Sequence, residues 1–352
     1  MRVLALTKYD RKAASTRQRF ELYQPGLAEM GIDMRLAPLL SDAYLEERFR
    51  TGQQPLFEIL RGYARRLWDL TRAQRFDLLF VHSELFPFFP AFGETLMRRV
   101  GIPMVVDIDD AIFHQYESQS HPLGRFLLGD KMKQVFQAAT AVTAGSRYLQ
   151  EYAGQFVERA ALIPTVVDTT RLRPRAGSKS GAVVVGWMGS PSTAASLSLV
   201  DSALTELASS HQIRFVAVGS GPLSLSTPAE VRSWHEAREE EDLRSFDIGI
   251  MPLQDTAWNR GKCAFKLIQY MAVGVPTVCS PVGANVDVVT PETGLSASTS
   301  EEWRRALGTL AGSPELRSRM GSAGRRRVVS HFSLSSQLSR LAEVLEDAAR
   351  TH

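Results

Sequence analysis

The feature that most constrains this chain is a series of short apolar runs without polar alternation, each leading through a loop into a helical stretch. They fall at residues 3–7, 77–81, 101–106 and 141–144, and again at 182–189, 213–221, 246–253 and 277–280. A run that is mostly apolar and does not alternate has to be buried on both faces, as parallel strands are when helices cover both sides of the sheet. The order of strand, loop and helix therefore predicts an α/β chain. Between the two series, residues 169–181 are rich in Arg, Pro, Gly, Ser and Lys and have little to bury, which reads as a linker. The expected organisation is a domain over 1–168, a second over 182–332, and a final helix over 333–352 with Leu338, Leu341, Val344 and Leu345 on one face. A length of 352 residues suits two cores.

Composition narrows the function classes. With 44% hydrophobic and 22% charged residues the chain reads as soluble and globular, and a net charge of +3 is too small to argue for a nucleic-acid partner. Cys263 and Cys279 are the only cysteines, so no disulfide framework is expected and a reducing compartment is the natural setting. Both read as small core residues. Residues 1–2 run straight into a strand, and no stretch approaches the roughly 18 apolar residues of a membrane span. The expectation is a cytoplasmic protein. Leu56, Leu60, Tyr63, Leu67 and Leu70 recur at helical spacing with Arg61, Arg65, Arg66 and Arg72 around them. Such a helix packs on a sheet or lies on an anionic membrane surface, so a peripheral contact with the inner membrane face stays open.

Open parallel sheets bind ligands at the carboxyl ends of their strands. There the first half offers Ser15, Thr16, Arg17 and Arg19 in the loop 7–19, then His82, Ser83 and Glu84, then Asp107, Asp109 and Asp110. Alternation points Asp107 and Asp109 the same way and Asp110 into the loop. Three carboxylates in four residues suit Mg²⁺ or Mn²⁺, but no further ligand follows at ligand spacing, and a hydrogen-bonding role in a pocket, with His114 a turn further on, is the other reading. In the second half, Gly189-Ser-Pro-Ser-Thr193 joins a strand to a helix start and forms a phosphate cradle through Ser190, Thr193 and backbone amides. It lacks the glycine spacing and the following acidic residue of a dinucleotide site. Gly219 and Gly221 allow close approach of a ligand or form a turn. Lys262 and Lys266 stand four apart beside an apolar helical pattern, which predicts one shared face at a helix start suited to a diphosphate. Gly274 and Pro276 end that helix, and a short strand leads into the turn carrying Gly283 and Asn285.

Four segments carry a more specific likeness: Ile163-Pro-Thr-Val-Val-Asp168, Tyr270-Met-Ala-Val-Gly-Val-Pro276, Ser280-Pro-Val-Gly283 and Met320-Gly-Ser-Ala-Gly324. With them the chain resembles, over essentially its whole length, the GT-B glycosyltransferases, specifically the retaining family 4 nucleotide-sugar transferases of the group 1 type. The resemblance implies two Rossmann-like domains facing a cleft, an acceptor-binding first domain, a donor-binding second domain, and a last helix crossing back to the first. It implies a hexosyltransferase moving a sugar from a UDP- or GDP-sugar to a hydroxyl of a carbohydrate or lipid-linked acceptor, with retention, as in polysaccharide biosynthesis, without metal or other cofactor. Two glutamates usual in the family fall at Gly261 and Gln269, and an Arg and Lys usual after the first strand of the second domain give way to Gly189-Ser-Pro-Ser-Thr193. Lys262 and Lys266 would then stabilise the leaving diphosphate, with Ser190 and Thr193 hydrogen-bonding it and Gln269 a ribose hydroxyl. Gly189, Gly219, Gly221, Gly283 and Asn285 would complete the donor site. Asp109 and Asp110 would serve catalysis, and Ser15, Thr16, Arg17, His82, Glu84 and His114 the acceptor. The missing glutamates keep open a non-catalytic nucleotide-sugar-binding protein, and the fold keeps open a sugar-nucleotide epimerase.

Overall fold

The computed structural model describes residues 1–119, 121–174, 181–210 and 213–351. The expected linker thus falls partly on 175–180, outside the described residues. The chain divides into two compact units. The first holds Met1–Thr165 with Gly261–Cys263 and Gln337–His352, and the second holds Val166–Arg260 and Ala264–Ser336. Each is built on one six-stranded, wholly parallel sheet.

In the first unit the strands are β1 (Arg2–Leu6), β2 (Asp33–Leu36), β3 (Leu78–His82), β4 (Met104–Ile108), β5 (Ala141–Ala144) and β6 (Ala160–Leu162), in the order β2-β1-β3-β4-β5-β6. Strands β3, β4 and β5 are buried at every residue, as their unbroken apolar runs require. At the edge, β2 alternates instead, with Met34 buried between exposed Asp33 and Arg35. The register sets His82 beside Asp107, and Asp107 beside Thr143. Ser146 caps the helix Arg147–Ala153 by accepting from the Leu149 amide. The chain's last helix, Leu334–Arg350, belongs to this unit from Gln337 onward. Leu338 packs so closely on Gly26 that a methyl there would come within 2.5 Å of it.

Of the two placements open to the helix Leu56–Leu70, packing its apolar stripe on the sheet is not the one adopted: Leu56, Leu60 and Leu67 face solvent and the inward side carries Gly62 and Arg66. Arg66 is buried and donates to the carbonyls of Thr7, Ala37 and Leu85. Burial lowers its pKa to about 10, still well above neutrality. The physical reason for the inversion is visible at Gly62, where an added Cβ would lie 2.2 Å from the Leu39 carbonyl oxygen, so only this side can approach so near.

The second unit contains β7 (Val183–Met188), β8 (Ile213–Val218), β9 (Ala229–Arg232), β10 (Ile248–Met251), β11 (Thr277–Cys279) and β12 (Gly294–Ser296), in the order β12-β11-β10-β7-β8-β9. One core layer gathers Leu267, Tyr270 and Met271 of the helix Phe265–Ala272 with Val328 of the helix Pro314–His331. The other gathers Leu197, Leu204, Trp303 and Leu307. Tyr270 reaches the sheet and accepts the Met188 amide at 2.9 Å, which locks the helix Phe265–Ala272 onto β7. Cys263 and Cys279 are both buried free thiols, as expected of small core residues.

Candidate functional site

In the second unit the site begins where β7 ends. The Gly189 turn runs into the short helix Pro191–Ala194, and Lys266 rises beside it from the first turn of the helix Phe265–Ala272. The Lys266 ammonium lies 5.1 Å from the ring centre of Trp187 and 3.4 Å from the Thr193 hydroxyl. Its stem passes so close to Gly189 that a Cβ there would come 2.7 Å from the lysine Cε. Gly219, at the end of β8, has φ +77°, and its Cβ would sit 2.3 Å from the Gly189 carbonyl oxygen, so both turns depend on bare backbone. Gly221 follows with φ +67° beside Pro191. Gly189, Ser190, Thr193, Gly219, Gly221 and Lys266 are thus brought together at the carboxyl ends of β7 and β8, where a phosphate could be held by amides, a hydroxyl and a cation.

Lys262 stands outside the helix that carries Lys266. The expected shared helix face fails because Ala264 adopts the left-handed conformation, φ 54°, and the helix starts only at Phe265. The preceding tripeptide is counted in the first unit. Gly261 lies against Ala111, the Cys263 thiol donates to the Asp109 carbonyl at 3.0 Å, and Lys262 pairs with Asp110 at 2.7 Å.

Gln269 is buried, and its amide donates to the Glu239 carboxylate at 3.1 Å. The Trp234 indole N–H reaches the same oxygen at 3.3 Å. Glu239 was not among the expected residues. It opens the helix Glu239–Arg244 within an acidic run, and folding turns two of that run's carboxylates inward, Glu239 toward Gln269 and Asp242 toward Arg232. Trp234 lies ahead of that helix, outside its first turn. Gly283 meets the Arg260 carbonyl oxygen, with φ +54°, and Asn285 is buried and donates to the Ser280 carbonyl, so both brace the turn after β11.

In the first unit each of the three clustered aspartates has its own side-chain partner. Asp107 takes a bidentate pair from buried Arg19, whose Nε lies 3.0 Å away, and the Thr143 hydroxyl at 2.6 Å. Asp109 accepts from His82 Nε2 at 3.0 Å, and Asp110 pairs with Lys262. Among the described residues no His, Cys, Asp and Glu side chains gather into a group of three able to hold a metal ion, because the three carboxylates diverge to separate partners. Burial alone would lower the His82 pKa, but the charge and hydrogen bond of Asp109 raise it above the ordinary value. The same partner, against the opposing push of burial, holds Asp109 down at about 2. Asp109 is therefore an anion at neutral pH, oriented from behind by His82 and able to accept from a sugar hydroxyl.

Other expected acceptor contacts fall elsewhere. Glu84 is buried and committed to Lys131 and to the Tyr116 hydroxyl, which removes it from any ligand. Ser15, Thr16 and Arg17 lie in a helix, Ala14–Arg19, rather than in a loop. Thr16 is buried and donates to the Tyr9 carbonyl, while Arg17 donates to the carbonyls of Arg11 and Lys12 and fastens the preceding segment. His114 is half-buried between Glu117 and the Tyr148 hydroxyl.

Residues 4–166 match the glycosyl transferase 4-like domain family, and residues 180–312 match the glycosyl transferases group 1 family. No curated protein matches the chain. Among solved structures, HepE of Anabaena in complex with UDP-glucose superposes with a TM-score of 0.72 at 14% identity, covering 99% of this chain and 100% of that one. Sucrose-phosphate synthase from Thermosynechococcus elongatus gives 0.71 at 12% identity with both chains covered completely. A glycosyltransferase from Rickettsia africae gives 0.70 at 14% identity, covering 100% of this chain and 99% of the other. With the two family domains in sequence and two parallel α/β units of this architecture, the chain belongs to the GT-B glycosyltransferases.

Proposed function

We propose that the protein transfers a sugar from a nucleoside-diphosphate sugar to an acceptor hydroxyl, with retention at the anomeric carbon. The observation that carries this reading is Lys266, set between Trp187 and Thr193 beside the bare-backbone turns at Gly189 and Gly219. The complexes of HepE with UDP-glucose and with UDP support a UDP-sugar as the donor. The diphosphate rests on the amides after β7 and β8, and the Lys266 ammonium neutralises the charge that grows on the leaving phosphate oxygen. Gln269 and Glu239 take the ribose hydroxyls, the carboxylate reaching in from a neighbouring helix where Gln269 carries none. Trp234, bonded to that carboxylate, borders the nucleoside.

Asp109, held by His82, positions the acceptor, a carbohydrate or lipid-linked glycan. The bond from the anomeric carbon to the leaving phosphate oxygen breaks, and the acceptor oxygen bonds that carbon on the same face. The acceptor proton passes to the leaving phosphate oxygen, so no enzymic nucleophile is needed. Lys262, paired with Asp110, shapes the loop after β4 rather than holding phosphate.

Thermal-shift screening of UDP-, GDP-, ADP- and dTDP-sugars identifies the donor, because a bound donor stabilises the fold by mass action. Product formation with a glycan acceptor, and the anomeric configuration of that product by NMR, then test transfer and retention. Donor binding without either hydrolysis or transfer would reject the enzymatic reading, and an inverted product would reject retention alone.

A further inference from the structure

We propose that the outward face of the helix Leu56–Leu70, together with the adjoining aromatic loop, docks on an anionic lipid bilayer. Leu56, Phe57, Leu60, Leu67 and Trp68 fall on one side of this helix and are 53% to 74% exposed. The inward side is already occupied, with Arg66 bonded to three carbonyls, so the helix cannot roll its apolar stripe into the core. Tyr63, on the flank, carries the apolar surface onward. Its ring lies 5.9 Å from Phe86 and 5.5 Å from Phe89, and its hydroxyl donates to the Pro87 carbonyl. Phe89 meets Phe92 at 6.5 Å, and Phe88, Phe89 and Phe92 are each about half exposed. A continuous apolar surface of this kind is normally covered by something.

The charges select what covers it. Arg61 projects from the exposed stripe, its guanidinium 3.9 Å from the less exposed Glu58 carboxylate, and the Arg72 guanidinium lies 4.2 Å above the ring centre of Trp68. The carboxylates of the same helix, Glu58 and Asp69, are only half-exposed, and Glu58 is engaged by the Ser41 hydroxyl. Arginines interleaved with Leu, Phe and Trp match the boundary between acyl chains and acidic headgroups, where the rings enter the apolar layer and the guanidinium groups stay with the phosphates. The helix then lies in the plane of the surface. No helix among the described residues is long and apolar enough to cross a membrane, so this face provides adhesion without a span. The proposal does not depend on which sugar is transferred, or on transfer itself.

Sedimentation with vesicles tests it. The purified chain is expected to pellet with vesicles of phosphatidylcholine and phosphatidylglycerol in roughly equal parts, to stay in solution with phosphatidylcholine alone, and to lose binding as salt rises. Phe57→Asp with Leu60→Asp should lower the partition by about 10-fold or more, and Arg61→Glu with Arg72→Glu should do the same on the anionic vesicles only. Because these side chains are exposed, the circular dichroism spectrum and melting temperature should not change. Wild-type protein that ignores anionic vesicles, or variants that bind them as wild type does, would overturn the proposal. So would a wild-type dimer in light scattering that Phe57→Asp with Leu60→Asp converts to monomer, since the face would then belong to a second copy.

Discussion

The ammonium of Lys266 lies 5.1 Å from the ring centre of Trp187, a buried indole, while its stem occupies the space that a side chain at Gly189 would need. Strand end, turn and helix start are thereby tied to one cation. Its position is set by packing before any ligand arrives, which is what stabilisation of a developing charge requires.

Lys266→Ala is expected to lower kcat by about 100-fold or more, the scale of losing one preorganised donor to an oxyanion. Steady-state kinetics with a saturating donor measure it, and an unchanged melting temperature shows that the fold survives. Lys262→Ala should cost far less in kcat, because that ammonium is paired with Asp110.

Glu239→Gln should weaken donor binding by about 10- to 100-fold, which corresponds to the roughly 1.5–3 kcal/mol of a hydrogen bond to a charged group. Calorimetric titration with the nucleoside diphosphate reads this without turnover. Equal affinity in variant and wild type would remove Glu239 from the nucleotide site.

The two turns of bare backbone should resist any side chain. Gly219→Ala has to hold φ +77° and bring a methyl toward the Gly189 carbonyl, so a loss of about 1–3 kcal/mol is expected from urea unfolding. Donor affinity should fall with it, since both turns shift together.

His82 and Asp109 predict a pH dependence. The histidine pKa is raised by folding, so its contribution is complete below the ordinary value near 6.5 and disappears as pH rises through the folded value. Asp109 is depressed, so its contribution persists down to acid pH and fades as pH falls toward about 2. Wild type should therefore exceed His82→Gln in stability by about 1–3 kcal/mol near pH 5.5 and by less near pH 9, read as paired melting curves. An advantage that grows with pH would contradict the pairing.

The central strands were readable because burial on both faces leaves few polar positions, and β1, β3, β4, β5 and β7 stand where apolar runs announced them. The edge strands were not: β2 alternates, β9 is largely exposed, and β12 has only three residues, so none carries an unbroken run. Spacing put Lys262 and Lys266 on one helix face because a left-handed residue at Ala264 leaves no mark in a hydrophobic pattern, and Ala is an uncommon choice there. Asp109 and His82 were each visible as strand-end residues, but their pairing needed the alignment of β3 with β4. The periodicity of 56–70 showed a helix and could not say which side met water, because Arg66 breaks the usual rule only once its three carbonyl partners are in place.

Those three carbonyls belong to segments far apart in the chain, around Thr7, Ala37 and Leu85. A guanidinium buried without all of them would be strongly unfavourable, whereas the greasy side of the same helix could settle against many surfaces at little loss. Arg66 therefore discriminates between dockings of this helix: an arrangement that buries the guanidinium without these carbonyls carries the cost of an unpaired charge, and the native orientation does not. A helix with a greasy outer side is thus kept from turning that side inward by one buried charge and one bare-backbone contact, Arg66 and Gly62.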